Sequence, residues 1–314
     1  MKKTMRKIIP ILALAAIIAV LLFAPIGKHK STNSQIKVVT TIFPAYDFAR
    51  TLSANTETEL KMLIQPGNDI HSYDPTPQDI VNAEQSDIFI YNGGESEKWV
   101  DKILTEIDQN RTTIIRMMDY VELLEEPTPN SDNNAEYDEH IWTSPKNVVK
   151  ITAAIAQALI NHNQANRQTI QNNLSQLKDD LTQLDQDFTR LAQQKNGTLI
   201  VADRFPFYYF IKDYGFDYLA ALPGCTEQTE ASAKTIAELS NKVAQNHEKI
   251  IFTLELSNTR IAQTIAQTTG AKIATWHSVH NVSQSDFESG KTYLDFMNEN
   301  LNKLSEALHD RAEG

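Results

Sequence analysis

Between Asn163 and Asn196 the sequence carries one continuous apolar stripe, with Ile170, Leu174, Leu177, Leu181, Leu184, Phe188 and Leu191 spaced alternately four and three apart among polar neighbours. This spacing predicts a single long helix with one apolar face, and such a face needs a surface to lie against. A coiled-coil seam would satisfy the same pattern. Sheet-like segments stand on both sides of the stripe, which favours a rigid strut packed across two lobes and limiting the hinge motion between them.

Past a polar spacer, Lys28 to Gln35, the stretches Ile36 to Ile42, Glu59 to Ile64 and Ile88 to Tyr91 read as buried strands, with helical spacing between them. Beyond the long helix, Thr198 to Ala202, Ile250 to Leu254 and Ala271 to Trp276 read the same way. Alternation of this kind is the mark of a parallel sheet wrapped by helices. Thr76-Pro77-Gln78-Asp79 is a helix start, with Thr76 as cap and Pro77 in the first helical position. A length of 314 residues allows two domains, and a 41% hydrophobic content is enough to build a core for each. The expected fold class is therefore α/β, with two lobes, each a mostly parallel sheet flanked by helices, joined by one long rigid helix. The boundaries run 1–35 for a signal or anchor segment and spacer, 36–162 for the N-terminal lobe, 163–196 for the linking helix and 197–314 for the C-terminal lobe.

The net charge of −11 argues against nucleic acid as a partner, because phosphate binding needs a basic face. Residues 8 to 24 are uncharged and apolar, preceded by Lys2, Lys3, Arg6 and Lys7. They read as an export signal or a membrane anchor, and Pro25 directly after Ala24 disfavours the most obvious cleavage site, which favours an anchor with the body outside the cell membrane. Cys225 is the only cysteine, so an intramolecular disulfide framework and a multi-thiolate zinc site are both excluded. It reads as a small apolar residue in a Pro-Gly turn. Glu125 to Glu139 is acidic and Asn-rich and reads as a solvated loop without histidine.

Two histidines stand in turns rather than on core faces: His71 in Asn-Asp-Ile-His-Ser-Tyr-Asp-Pro, after an apolar run closed by Pro66-Gly67, and His140 in Tyr-Asp-Glu-His-Ile-Trp-Thr-Ser-Pro. A neutral imidazole there can offer one ring nitrogen to a transition metal while a neighbouring carboxylate, Asp74, Asp138 or Glu139, orients the other. With these segments the chain resembles the substrate-binding proteins of zinc and manganese ABC importers. The likeness runs from Lys37-Val-Val-Thr-Thr-Ile-Phe-Pro-Ala-Tyr-Asp-Phe-Ala-Arg50 to about Leu308. It implies a periplasmic-binding-protein-like fold of the metal-receptor type, one ion held between the lobes, and delivery to an ABC permease and, through it, an ATPase. His71 and His140 match the first two ligands of the family. Where relatives place a histidine or glutamate before an aromatic run, this chain has Arg204, which cannot coordinate a cation, and the usual late aspartate falls on His277. The lipid-attachment cysteine of many relatives is absent near the N-terminal segment, so tethering would fall to the apolar segment itself.

The third and fourth ligands have to be sought on strand geometry. Open α/β sheets bind ligands outside the carboxyl ends of their strands, and three strand-like runs end at Asp203, Glu255 and His277. His277 ranks first and Glu255 second, with Asp203 and His280 behind them. Plainer roles stand beside these: Asp203 pairing with Arg204, Glu255 in a salt bridge, His280 capping the segment that begins at Asn281, and Glu230 at a helix N-terminus touching Arg204. Arg204 could also orient a ligand carboxylate. A set of His71, His140, His277 and Glu255 is nitrogen-rich and suits zinc; two carboxylates in place of His277 would move the balance towards manganese. A zinc hydrolase is the rival from another class, but its His-Glu-x-x-His signal is absent. A siderophore-type receptor on the same architecture would use Phe205, Phe207, Tyr208 and Tyr209, whose close succession fits core packing better.

Overall fold

A computed structural model describes residues 35–68, 70, 72–126, 137–194, 197–224 and 230–309. The N-terminal apolar segment, His71, Cys225 and most of the acidic loop lie outside the described residues. Strands β1 (Ile36–Thr40), β2 (Thr58–Met62), β3 (Ile88–Tyr91) and β4 (Thr113–Arg116) form one sheet in the order β2-β1-β3-β4, parallel throughout. A second parallel sheet repeats that order with β5 (Thr198–Val201), β6 (Asp217–Ala220), β7 (Ile250–Thr253) and β8 (Lys272–Thr275), arranged β6-β5-β7-β8. The central strands Ile88-Phe-Ile-Tyr91 and Ile250-Ile-Phe-Thr253 are almost wholly buried, because helices cover both faces of each sheet. Strand β2, Thr58-Glu-Leu-Lys-Met62, and strand β8, Lys272-Ile-Ala-Thr275, mix polar and apolar residues because they are edges. In each lobe the strand order reverses between the two central strands, β1 and β3 or β5 and β7, and the crevice at such a point is where α/β sheets receive ligands.

The helices are α1 (Phe43–Leu52), α2 (Pro77–Glu84), α3 (Val100–Leu104), α4 (Pro145–His162), α5 (Arg167–Gln193), α6 (Tyr208–Tyr214), α7 (Ala233–Asn246), α8 (Arg260–Thr269), α9 (Gln284–Glu288) and α10 (Tyr293–His309). Helix α2 starts with a reciprocal capping box in which the Thr76 hydroxyl accepts from the Asp79 amide and the Asp79 carboxylate accepts from the Thr76 amide. The Tyr73 hydroxyl donates to the same carboxylate at 2.9 Å, pinning the turn that leads into the helix.

Helix α5 is the long strut. Its stripe is buried at Ile170, Leu177, Leu181, Leu184, Phe188 and Leu191, with Leu174 half-buried. Towards its start Asn173 donates to the carbonyls of Leu52 and Ala54, at 3.0 and 2.9 Å, in the first lobe. Towards its end Phe188 meets the rings of Phe210 and Tyr214, and the Tyr214 hydroxyl donates to Asp185 at 2.8 Å in the second. A second tie was not read from sequence. Past β8 the chain returns to the first lobe, where the buried Asp47 carboxylate accepts from the Tyr293 amide at 2.7 Å and from Arg50. Arg50 also donates to the carbonyl of Lys291 at 2.9 Å, while Tyr293 and Phe296 of α10 pack edge-on against Phe48 and Phe43. Two separate helices thus bridge the lobes, which restrains rotation about either one.

Candidate metal centre

A cavity of about 240 Å³ opens between the lobes, and His140, His280, Glu255 and Arg204 line it. His140 is supplied by the loop that enters the short 3₁₀ turn Ile141–Thr143, and its side chain is 2% exposed. Its Nδ1 pairs with Oδ1 of Asp138 at 2.6 Å, and the same oxygen accepts from the His140 amide at 2.9 Å. With the Nδ1 proton held by a carboxylate, Nε2 carries the lone pair that a metal takes. Of the three carboxylates read as possible orienters, Asp138 is the one that holds His140. Glu139 turns away to the amide and hydroxyl of Ser96, and Asp74 reaches Lys102 at the surface.

The loop 276–282, after β8, brings the second lobe to this point. The ring of His280 stands perpendicular to that of His140 with centroids 5.1 Å apart, and both lie against Trp142. Zinc–nitrogen bonds of about 2.0–2.1 Å at a tetrahedral angle place two ligating nitrogens roughly 3.3 Å apart, a separation that rings at this spacing can reach. The loop is fixed from the first lobe: the Trp142 indole donates to the carbonyl of Ser278 at 2.8 Å, Asn281 donates to the carbonyls of Gln65 and Asn68, and the Gly67 amide donates to the carbonyl of Val282 at 2.8 Å. Val279 in this loop has a left-handed backbone, with φ 60°, as does Leu256 in the loop after β7, with φ 56°. A β-branched residue in that region is strained, and Val279 stands directly before His280.

Glu255 follows β7 and is held at both oxygens by Ser278, from its amide at 2.7 Å and its hydroxyl at 2.6 Å. A carboxylate so oriented keeps lone pairs for a cation. It therefore makes contacts with Ser278 in place of the expected salt bridge. Asp203 is fully engaged in structure: one oxygen accepts from the Arg204 amide, the other from the Thr253 hydroxyl, the Leu254 amide and the Ser257 hydroxyl, which joins the ends of β5 and β7.

The structure does not bring His277 to His140. Asn300 accepts from the His277 amide and donates to its carbonyl, both at 2.8 Å, and this clamp turns the ring onto Phe296 with Nε2 3.5 Å from Glu299. His277 lines a different cavity, with Lys272, Glu299 and Lys303. His280, ranked behind it on sequence, occupies the interlobe position, and Ser283 rather than His280 caps the next helix. Glu230 lies ahead of Ser232, the residue that caps α7. Among the described residues no three His, Cys, Asp or Glu side chains form a metal-holding group. His71 lies outside that set, and its neighbour Ile70 lines the interlobe cavity. Phe205 and Phe207 are buried in stacks with Tyr218 and Trp276, so they serve the core and offer no platform for an organic ligand.

Behind His140 lies a polar layer that sequence reasoning missed. Glu97, buried after β3, accepts from the Gly93 amide at 2.7 Å, and Asn92 donates to the carbonyl of Glu139 at 2.8 Å. Burial, with the Glu139 charge adding to it, pushes the Glu97 carboxyl up to about 7 against the pull of the Gly93 amide.

Two like-ordered parallel sheets facing one histidine-lined cleft, and held apart by a long helix, make up the two-lobed architecture of solute-binding receptors. The model of the family "zinc-uptake complex component A periplasmic" matches residues 38–307, and the chain belongs to that family. It is 26% identical to the zinc-binding lipoprotein AdcA of Streptococcus pneumoniae over 94% of this chain, and it spans 60% of that relative's length. It is 25% identical to the high-affinity zinc uptake system protein ZnuA of Bacillus subtilis, over 90% of both chains. The crystal structure of the metal-dependent lipoprotein YcdH from Bacillus subtilis superposes with a TM-score of 0.75 at 25% identity, covering 87% of this chain and 99% of that one.

Proposed function

We propose that this chain is an extracytoplasmic solute-binding protein, not an enzyme, that captures a divalent transition metal between its lobes and delivers it to an ABC import permease and its ATPase. One observation carries the reading: an imidazole from each lobe, His140 and His280, meets in a single cleft, with Asp138 buried behind the first. The proposed ligands are His71, His140, His280 and Glu255, with His280 taking the place that sequence gave to His277. Such a nitrogen-rich, four-ligand set suits zinc, with manganese the weaker alternative. The zinc-uptake names of AdcA and ZnuA support the cargo and the importer partnership. Residues 8–24 would then be an anchor that keeps the receptor at the outer face of the membrane, and the lobes would divide at 36–162 and 197–314 around the linking helix.

The test is a zinc titration against a competing chromophoric chelator. Wild type should bind one zinc tightly, and a variant with both His140→Ala and His280→Ala should lose roughly a thousandfold in affinity or more. Unchanged affinity in the double variant would remove the site.

A further inference from the structure

Arg204 is out of place in a site for a bare cation. It lines the same cavity as His140 and His280, half-buried, and among the described residues its guanidinium makes no ion pair or side-chain hydrogen bond. Glu255 is hydrogen-bonded by Ser278 and Asp203 by groups at the ends of β5 and β7, and neither is paired with the guanidinium. A partly desolvated guanidinium without a counter-charge is costly, and a divalent cation beside it would make it costlier. Of the described side chains that line the cavity, Glu255 is the one carboxylate and Arg204 the one permanent cation, so a divalent metal beside them leaves the face of the cleft positive, and an anion there lowers that excess.

Resting on the metal-receptor reading, we infer that the site takes its metal together with a small planar oxyanion, a carboxylate or bicarbonate, which lies between Arg204 and the ion. A guanidinium fork matches two oxygens of a carboxylate-like anion, and such an anion has further lone pairs to offer a metal. The cavity of about 240 Å³ holds far more than one ion; a water takes about 30 Å³ of liquid volume, so room is left for an anion of two to four heavy atoms.

The experiment is the chelator-competition zinc titration of the full chain in chloride buffer alone and with acetate or bicarbonate added at matched ionic strength. It is run on wild type, Arg204→Gln and Arg204→Lys. In wild type, one or both anions should tighten zinc binding roughly tenfold, Arg204→Gln should respond by less than about twofold, and Arg204→Lys should keep part of the response. Which anion acts tells the carboxylate from bicarbonate. Tight zinc binding by wild type that is the same in every buffer would overturn the anion site while leaving the metal site standing, and so would an equal anion response in Arg204→Gln. Failure of wild type to bind zinc in any buffer would end both readings.

Discussion

Asp138 offers the sharpest probe of how the first lobe prepares its histidine. Its Oδ1 accepts two bonds, from the His140 ring at 2.6 Å and from the His140 amide at 2.9 Å, and both side chains are 2% exposed. Asp138→Asn keeps an oxygen able to accept both bonds but removes the charge. Charge-assisted bonds are roughly twice as strong as neutral ones, so the change should cost about 1–1.5 kcal/mol of zinc binding, roughly five- to tenfold in Kd. Asp138→Ala removes both bonds, frees the ring to rotate, and should cost roughly 30- to 100-fold, the upper part of the roughly 10- to 100-fold range for loss of the partner of a metal-bound histidine. The assay is chelator competition, with thermal unfolding of the zinc-free proteins as a check that the variants still fold. Wild-type affinity in Asp138→Ala would refute the idea that this carboxylate sets the metal-binding face of His140.

Other expectations follow from the same geometry. His280→Ala should weaken zinc binding by roughly a hundredfold, while His277→Ala, which faces Glu299 in the other cavity, should change it by less than about threefold; the reverse order would restore the strand-end assignment. Because Glu97 titrates at about 7 in the folded protein against an ordinary value of 4.5, the folded state holds its proton longer than the unfolded chain does. Its contribution is therefore full below about pH 4.5 and is lost as pH rises through about 7, a loss of about 3 kcal/mol. Glu97→Gln should remove that part of the decline in denaturant stability between pH 5 and 8, and a decline identical to wild type would count against it. With α5 and α10 both crossing between the lobes, small-angle scattering should show the radius of gyration changing by less than about 1 Å on zinc addition; a larger compaction would mean that the lobes swing.

Much of the architecture was legible because it is written in local periodicity. The stripe on α5 and the strands β1, β3, β5 and β7 are continuous apolar patterns, and Thr76-Pro77 marked its helix start correctly. Strands β4 and β6 were not read: four residues at a sheet edge, Thr113-Ile-Ile-Arg116 and Asp217-Tyr-Leu-Ala220, carry too little alternation to stand out from their neighbours. The return of α10 to the first lobe rests on contacts between Asp47 or Arg50 and residues some 240 positions later, such as Tyr293 and Gly290, which no local pattern encodes. At the site, the rule that strand ends carry ligands pointed to Glu255, which lines the interlobe cavity, and to His277, which lines another. The clamp by Asn300 and the left-handed Val279 turn the chain so that His280, three residues on, faces the cleft. A valine in that conformation leaves no mark in the sequence.

The most direct measurement is a crystal structure of the zinc-loaded protein with diffraction recorded on both sides of the zinc absorption edge. One anomalous peak is expected in the interlobe cavity, with ring nitrogens of His140 and His280 about 2.0–2.1 Å away. A peak beside His277 and Glu299, or an empty interlobe cavity in crystals that hold zinc elsewhere, would contradict capture between the lobes.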